Sequence, residues 1–137
     1  MYLCISYFFL YMKQYAFSKR ERLCSRDDFQ KLLSEGKSFY SYPFKCVYLW
    51  KEAEDFSAKI AIAVSKKKFK NAVDRNKIKR LIRESYRLEK GILYQKYNNT
   101  PQNIDILIIY TETKIRSFSL TKKKTIELIN NIIKNTN

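Results

Sequence analysis

Histidine is absent from this chain, and glycine and proline occur only twice each. The first absence removes the commonest general base, so hydrolysis by this chain unaided starts without its usual proton acceptor. The second excludes long stretches of coil and assigns most residues to regular elements. Cysteine is scarce as well. Cys4, Cys24 and Cys46 form an odd set with no Cys-x-x-Cys spacing. That pattern argues against a disulfide framework and a structural zinc site, and it fits reduced thiols in a cytoplasmic protein. Acidic residues number 13 against 28 lysines and arginines, for a formal net charge of +15. A compact surface with such an excess repels itself unless a polyanion faces it. RNA, DNA and an anionic membrane are the partner classes this leaves.

What is present suits one domain. The 137 residues are 45% hydrophobic, enough for a single modest core. Residues 1–11 are apolar and aromatic, but too short to span a bilayer and without the charged start of a signal peptide. Met12 follows at once, then Lys13. The expectation is that translation starts naturally at Met12 and that residues 12–137 form one RNA-binding domain. The alternative for residues 1–11 is a membrane-touching tail.

Along the rest of the chain the periodicities alternate. Phe29, Leu32 and Leu33 fall at helical spacing in residues 26–33, with Ser25 or Asp27 as cap and Gly36 just beyond the end. Residues 44–50 and 58–65 read as strands. A basic loop at 66–71 leads into a helix from Ala72 to about Lys90. Residues 98–103 are turn-rich around Pro101. Residues 105–111 form a continuous apolar strand, the mark of burial on both faces. Residues 120–134 place Ile126, Ile129, Ile132 and Ile133 on one side of a closing helix. Helix, strands, helix, strand, helix is the order of an α/β (α+β) sandwich with helices on a sheet.

Charge is concentrated in one segment. Residues 66–90 hold eleven basic and three acidic residues, more than half of the net charge. At about 100° per residue, Ile78, Leu81, Ile82, Ser85 and Leu88 share one helix face. Arg75, Asn76, Lys79, Arg80, Arg83 and Arg87 spread over the opposite arc. The first face can dock on a sheet. The second presents a fan of cations, which phosphates meet with strong, salt-sensitive attraction. Asp74, Glu84 and Glu89 are too few to balance it as an ordinary solvated face. A membrane-surface helix would need the apolar face that the core requires.

Residues 75–87, Arg-Asn-Lys-Ile-Lys-Arg-Leu-Ile-Arg-Glu-Ser-Tyr-Arg, resemble the signature helix of the bacterial ribonuclease P protein family. That family shows Arg-Asn-Arg, an apolar residue, Lys-Arg, two apolar residues and Arg. Here Lys77 stands at the third position, keeping the charge without the planar fork. Upstream, Ala63-Val64-Ser65-Lys66-Lys67 is similar to the family's strand ending in Val-Ser-Lys-Lys. Residues 19–23, Asp28-Phe29 and residues 35–38 are similar to its N-terminal stretch. The resemblance spans residues 17–137 in element order.

That resemblance implies a single-domain α-β-β-β-α-β-α two-layer sandwich of the ribosomal-protein-domain kind, with a left-handed βαβ crossover. It implies that Arg75, Asn76, Lys77, Lys79, Arg80 and Arg83 bind a catalytic RNA. It implies a cleft between the sheet and the first helix for the single-stranded 5′ leader of precursor tRNA. Phe29, Leu33, Val47, Lys66 and Lys67 match that cleft, with Leu33 and Val47 standing where the family often has aromatics. The chain would then be a subunit of an RNA-based endoribonuclease, with Mg²⁺ and the catalytic centre in the RNA and no obligate protein partner. No catalytic or metal-ligating residue is expected in this chain.

Three rivals follow from the residues alone. A non-catalytic ribosomal or translation-associated RNA-binding protein shares the composition and lacks only the ordered motifs. A DNA-binding regulator needs a second helix across a short turn, which is missing. A self-sufficient nuclease needs grouped carboxylates, whereas Glu35, Asp55 and Asp105 are scattered.

Overall fold

The computed structural model describes residues 17–136. The expected start at Met12 and the reading of residues 1–11 lie outside them. Four strands form one sheet: β1 (Lys37–Ser41), β2 (Phe44–Glu52), β3 (Ser57–Val64) and β4 (Gln102–Tyr110), in the order β1-β2-β4-β3. β2 is antiparallel to both β1 and β4, whereas β3 runs parallel to β4 and forms an edge. The helices are α1 (Arg26–Glu35), α2 (Ala72–Glu89), α3 (Gly91–Tyr97) and α4 (Phe118–Thr136). The fold is therefore α+β, and the crossover from β3 to β4 carries α2 and α3.

Alternation along the strands divides the sheet into two unlike faces. Cys46, Tyr48, Ile104, Ile106, Ile108 and Ile60 pack on Ile78, Ile82, Tyr86, Leu128, Ile129 and Ile132 of α2 and α4. This is the main core, and each such side chain contributes roughly 1.5–3 kcal/mol by leaving water. Val47 and Leu107 point the other way and pack on Leu32 of α1. β4 is thus buried on both faces, as its unbroken apolar run predicts. α1 is short and covers only part of its face.

Two expectations differ from the structure in detail. The residue pattern assigns nothing to 91–97, yet α3 forms there, because Leu93 and Tyr97 join the core beside Trp50 and Phe56. The turn expected at residues 98–103 is shorter. Asn99 takes the left-handed conformation (φ 66°) that asparagine tolerates, and β4 already begins at Gln102. β1 is the short edge strand that the residue pattern alone does not reveal.

Ion pairs buried to different degrees fix the periphery. Lys51 of β2 lies 3.0 Å from Asp28 of α1 and 2.6 Å from Asp105 of β4, locking α1 to the sheet. A hydrogen bond from Lys51 holds the Asp28 carboxyl below its ordinary value. Glu21, in a 3-10 turn at Lys19–Glu21, accepts from Lys90 at 2.6 Å and from Tyr94. Burial, aided by the Glu21 carboxylate, pushes the Tyr94 hydroxyl up to about 12. The segment after that turn runs along the outer edge of β3, where the Leu23 amide donates to the Ile60 carbonyl. An edge strand is thereby partly covered.

Candidate nucleic-acid interface

α2 follows its N-cap Asn71 and carries its buried residues Ile78, Ile82, Ser85 and Tyr86 on one face. Ser85 spends its hydroxyl on the Leu81 carbonyl, so a polar residue sits in the core satisfied. Tyr86, placed on neither face by the periodicity argument, is buried against Phe17. With the inner face fixed in this way, Asn76, Lys77, Arg80 and Arg83 are exposed, and Lys79 is half-buried at the margin.

The other cations of the segment are committed differently. Arg75 folds back, and its guanidinium donates to the Phe69 and Lys70 carbonyls at 2.8 and 2.9 Å. It holds the basic loop against the start of the helix. Arg87 pairs with Glu84 at 2.5 Å, which lowers the Glu84 carboxyl and raises the Arg87 guanidinium. Glu89 lies 3.5 Å from Lys122 of α4. Two of the segment's three carboxylates are thus engaged at the helix's far end. Among the described residues, no carboxylate lies within ion-pair distance of Lys77, Arg80 or Arg83. These three side chains form the free part of the fan.

The second predicted group surrounds α1. Phe29 is half-buried in the cluster of Leu32, Val47 and Leu107, with Ala61, Ala63 and Ile109 beside it. Leu33 is 55% exposed on the helix surface, whereas Val47 is only 8% exposed and lies beneath α1. Val47 therefore supports the cleft from below. Lys66 and Lys67 are exposed just past the end of β3. Ala61 and Ala63, both small and half-buried, lie on this face of β3, just before these lysines.

At the other end of β3 lies a group that the residue pattern does not assign to a site. Lys19, Arg20, Arg22 and Lys59 line a cleft of about 430 Å³ with Ser25, Ser57 and Asn103. A smaller neighbouring cleft of about 240 Å³ links Arg22 to Arg83 of α2 across the β3 edge. Cations therefore continue from the α2 fan round the edge strand onto the sheet face. The available signal was Lys59 alternating with Ala61 and Ala63; the convergence of residues 19–22 on Lys59 required the fold. Asp105, named for the nuclease rival, is taken up by Lys51. Among the described residues, no three acidic, cysteine or histidine side chains come together as metal ligands. Among the same residues, no helix is long and apolar enough to cross a membrane.

Comparison with known proteins gives a family for the chain. The family described as Ribonuclease P matches residues 17–133. A "Ribonuclease P protein component" of Porphyromonas gingivalis is 44% identical over 80 residues, 58% of this chain and 58% of that protein. That alignment thus covers less than two thirds of the relative's length. The Listeria innocua protein of the same description is 38% identical over 112 residues, 81% of this chain and 87% of its own. Among solved structures, the "RNase P protein from Thermotoga maritima" superposes with a TM-score of 0.63 at 30% identity. The match covers 82% of this chain and 97% of that one.

Proposed function

This chain belongs to the ribonuclease P protein family, and on that premise we propose that it is the protein subunit of an RNA-based endoribonuclease that removes the 5′ leader of precursor tRNA. The observation that carries this reading is the outer face of α2. Its cations are held outward by a helix whose inner face is locked in the core, so folding does not account for their presence. In this reading Asn76, Lys77, Lys79, Arg80 and Arg83 meet phosphates of the catalytic RNA, and Arg75 sets the basic loop beside them. The face between α1 and β3, with Phe29, Leu33, Lys66 and Lys67, receives the leader, and Val47 supports it from beneath.

The chain's own part in the reaction is to neutralise phosphates and to grip substrate. A contact made to the leader is lost with the leader, so it favours precursor over product. Among the described residues no three carboxylate or thiol side chains stand together to hold a metal, and Mg²⁺, which activates water for phosphodiester cleavage, belongs in this reading to the RNA. Cys24 and Cys46 are free thiols, in keeping with action in the cytoplasm.

Reconstitution tests the proposal. The full chain is added to the cognate catalytic RNA, and precursor tRNA cleavage is followed at low Mg²⁺. Stimulation over RNA alone is expected. Absence of stimulation, with RNA binding intact, would favour the ribosomal or translation-associated reading. Cleavage by the protein alone would favour a self-sufficient nuclease.

A further inference from the structure

Register places four residues in a row across the open end of the α1-side sheet face. Tyr40 of β1 pairs with Lys45 of β2, Lys45 with Ile109 of β4, and Ile109 with Ala63 of β3. α1 packs over the next row, Val47 and Leu107; in this one Ile109 and Ala63 are half-buried beside that cluster, while Tyr40 and Lys45 are exposed. Tyr40 is 61% exposed, and no aromatic side chain among the described residues is more so.

Its ring is nevertheless held. The Tyr40 hydroxyl lies 3.3 Å from Thr111 Oγ1, and Thr111 gives its own hydroxyl proton to the Pro43 carbonyl at 2.8 Å. Tyr40 is therefore the donor to Thr111. Thr111 follows β4, two strands from β1, a lateral distance of about 10 Å. To reach it, the ring must lie across β2 and not stand away from the sheet. Held there, the ring stays largely open to solvent along the sheet. Cations border it: Lys45 is its neighbour in register, and Lys68 donates to the Thr111 carbonyl from the loop that carries Lys66 and Lys67.

An immobilised, exposed ring among lysines is the arrangement on which unpaired bases stack while their phosphates are neutralised. The cleft otherwise offers little for stacking. Leu33 is aliphatic, Val47 is buried, and Phe29 is half-buried among aliphatic side chains. We propose that Tyr40 is the platform on which one base of the single-stranded leader stacks, extending the substrate cleft across the sheet end to β1. This inference rests on the leader-binding reading above.

The test uses the holoenzyme, with catalytic RNA and full chain. Affinities are measured for mature tRNA, for precursor tRNA, and for precursors with a single abasic nucleotide walked along the leader. Tyr40→Ala should weaken precursor binding by about fivefold or more, the effect of losing one stacked base. It should leave mature tRNA binding unchanged and carry no penalty when one particular leader position is abasic. Tyr40→Phe should stay within about twofold of the native protein, because stacking needs the ring. A loss shared by mature tRNA, no loss at all, or a penalty that persists at every abasic position would overturn the inference. So would a phenylalanine variant as weak as alanine. If the native holoenzyme shows no preference for precursor over mature tRNA, the leader reading itself falls, and this inference with it. If that preference is present and Tyr40→Ala retains it, only the assignment of Tyr40 falls.

Discussion

Replacing Lys51 with methionine isolates the contact that holds α1 on the sheet. The Lys51 ammonium sits 2.6 Å from Asp105 and 3.0 Å from Asp28, with side-chain exposures of 23%, 3% and 34% respectively. Burial opposes the charge on Lys51, but hydrogen bonds to the two carboxylates outweigh it and raise its pKa. Methionine keeps most of the stem's volume and removes the charge, which leaves Asp105 enclosed without a counter-ion. Removing one partner of a fully buried pair costs about 3–5 kcal/mol. Lys51 is partly exposed, so water replaces some of what is lost, and the expected destabilisation is about 2–3 kcal/mol. Urea denaturation followed by circular dichroism measures it, with the slope unchanged if the denatured state is unaffected. Adding Asp105→Asn should restore a substantial part of the loss, because a neutral amide tolerates the site better than a lone carboxylate. A single-variant effect below about 1 kcal/mol would refute the claim that this triad anchors α1.

Two further outcomes follow from local geometry. Gly36→Ala would place a Cβ against the Leu32 carbonyl oxygen and 2.8 Å from Val47 Cγ1, so overpacking should destabilise the fold by about 1–3 kcal/mol; an unchanged melting temperature would contradict this. Hydrogen bonds from Arg116 and Tyr42 hold the Glu112 carboxyl at about 2. Its folded-state pKa is depressed, so the stabilisation it gives is present above the ordinary carboxylate range and is lost as pH falls through about 2. A carboxyl NMR titration should show Glu112 still ionised at about pH 3, and Arg116→Ala should raise its midpoint towards the ordinary value; a native midpoint near 4 would contradict the pairing.

The long elements were legible because each carries a repeating burial pattern. Ile78 and Ile82 identify the inner face of α2, and the isoleucines of β4 identify a doubly covered strand. β1 and α3 were not legible from pattern. β1 is five residues long at an edge, and α3 is short, starts at a glycine and is stabilised by distant rings such as Trp50 and Phe56. The interface divides in the same way. Arg80 and Arg83 are exposed where helical geometry puts them. Arg75 instead turns inward to the Phe69 and Lys70 carbonyls, a contact set by the path of the loop. Val47, assigned to the cleft by resemblance, lies beneath α1, because Gly36 brings the helix end down onto it. Tyr40, Lys45, Ile109 and Ala63 fall into one row only through strand register. Lys59 meets Lys19, Arg20 and Arg22 only because the N-terminal segment runs along β3.

The central claim is that the outer face of α2 binds RNA through its phosphates, and the salt dependence of binding tests it most directly. Affinity for the catalytic RNA is measured across a range of salt concentrations for the native chain and for a double variant, Arg80→Ala with Arg83→Ala. Each lost phosphate contact should flatten the logarithmic slope by about 1, so the double variant should lose about 2. A slope that stays at the native value would show that these arginines do not face phosphate and would contradict the account.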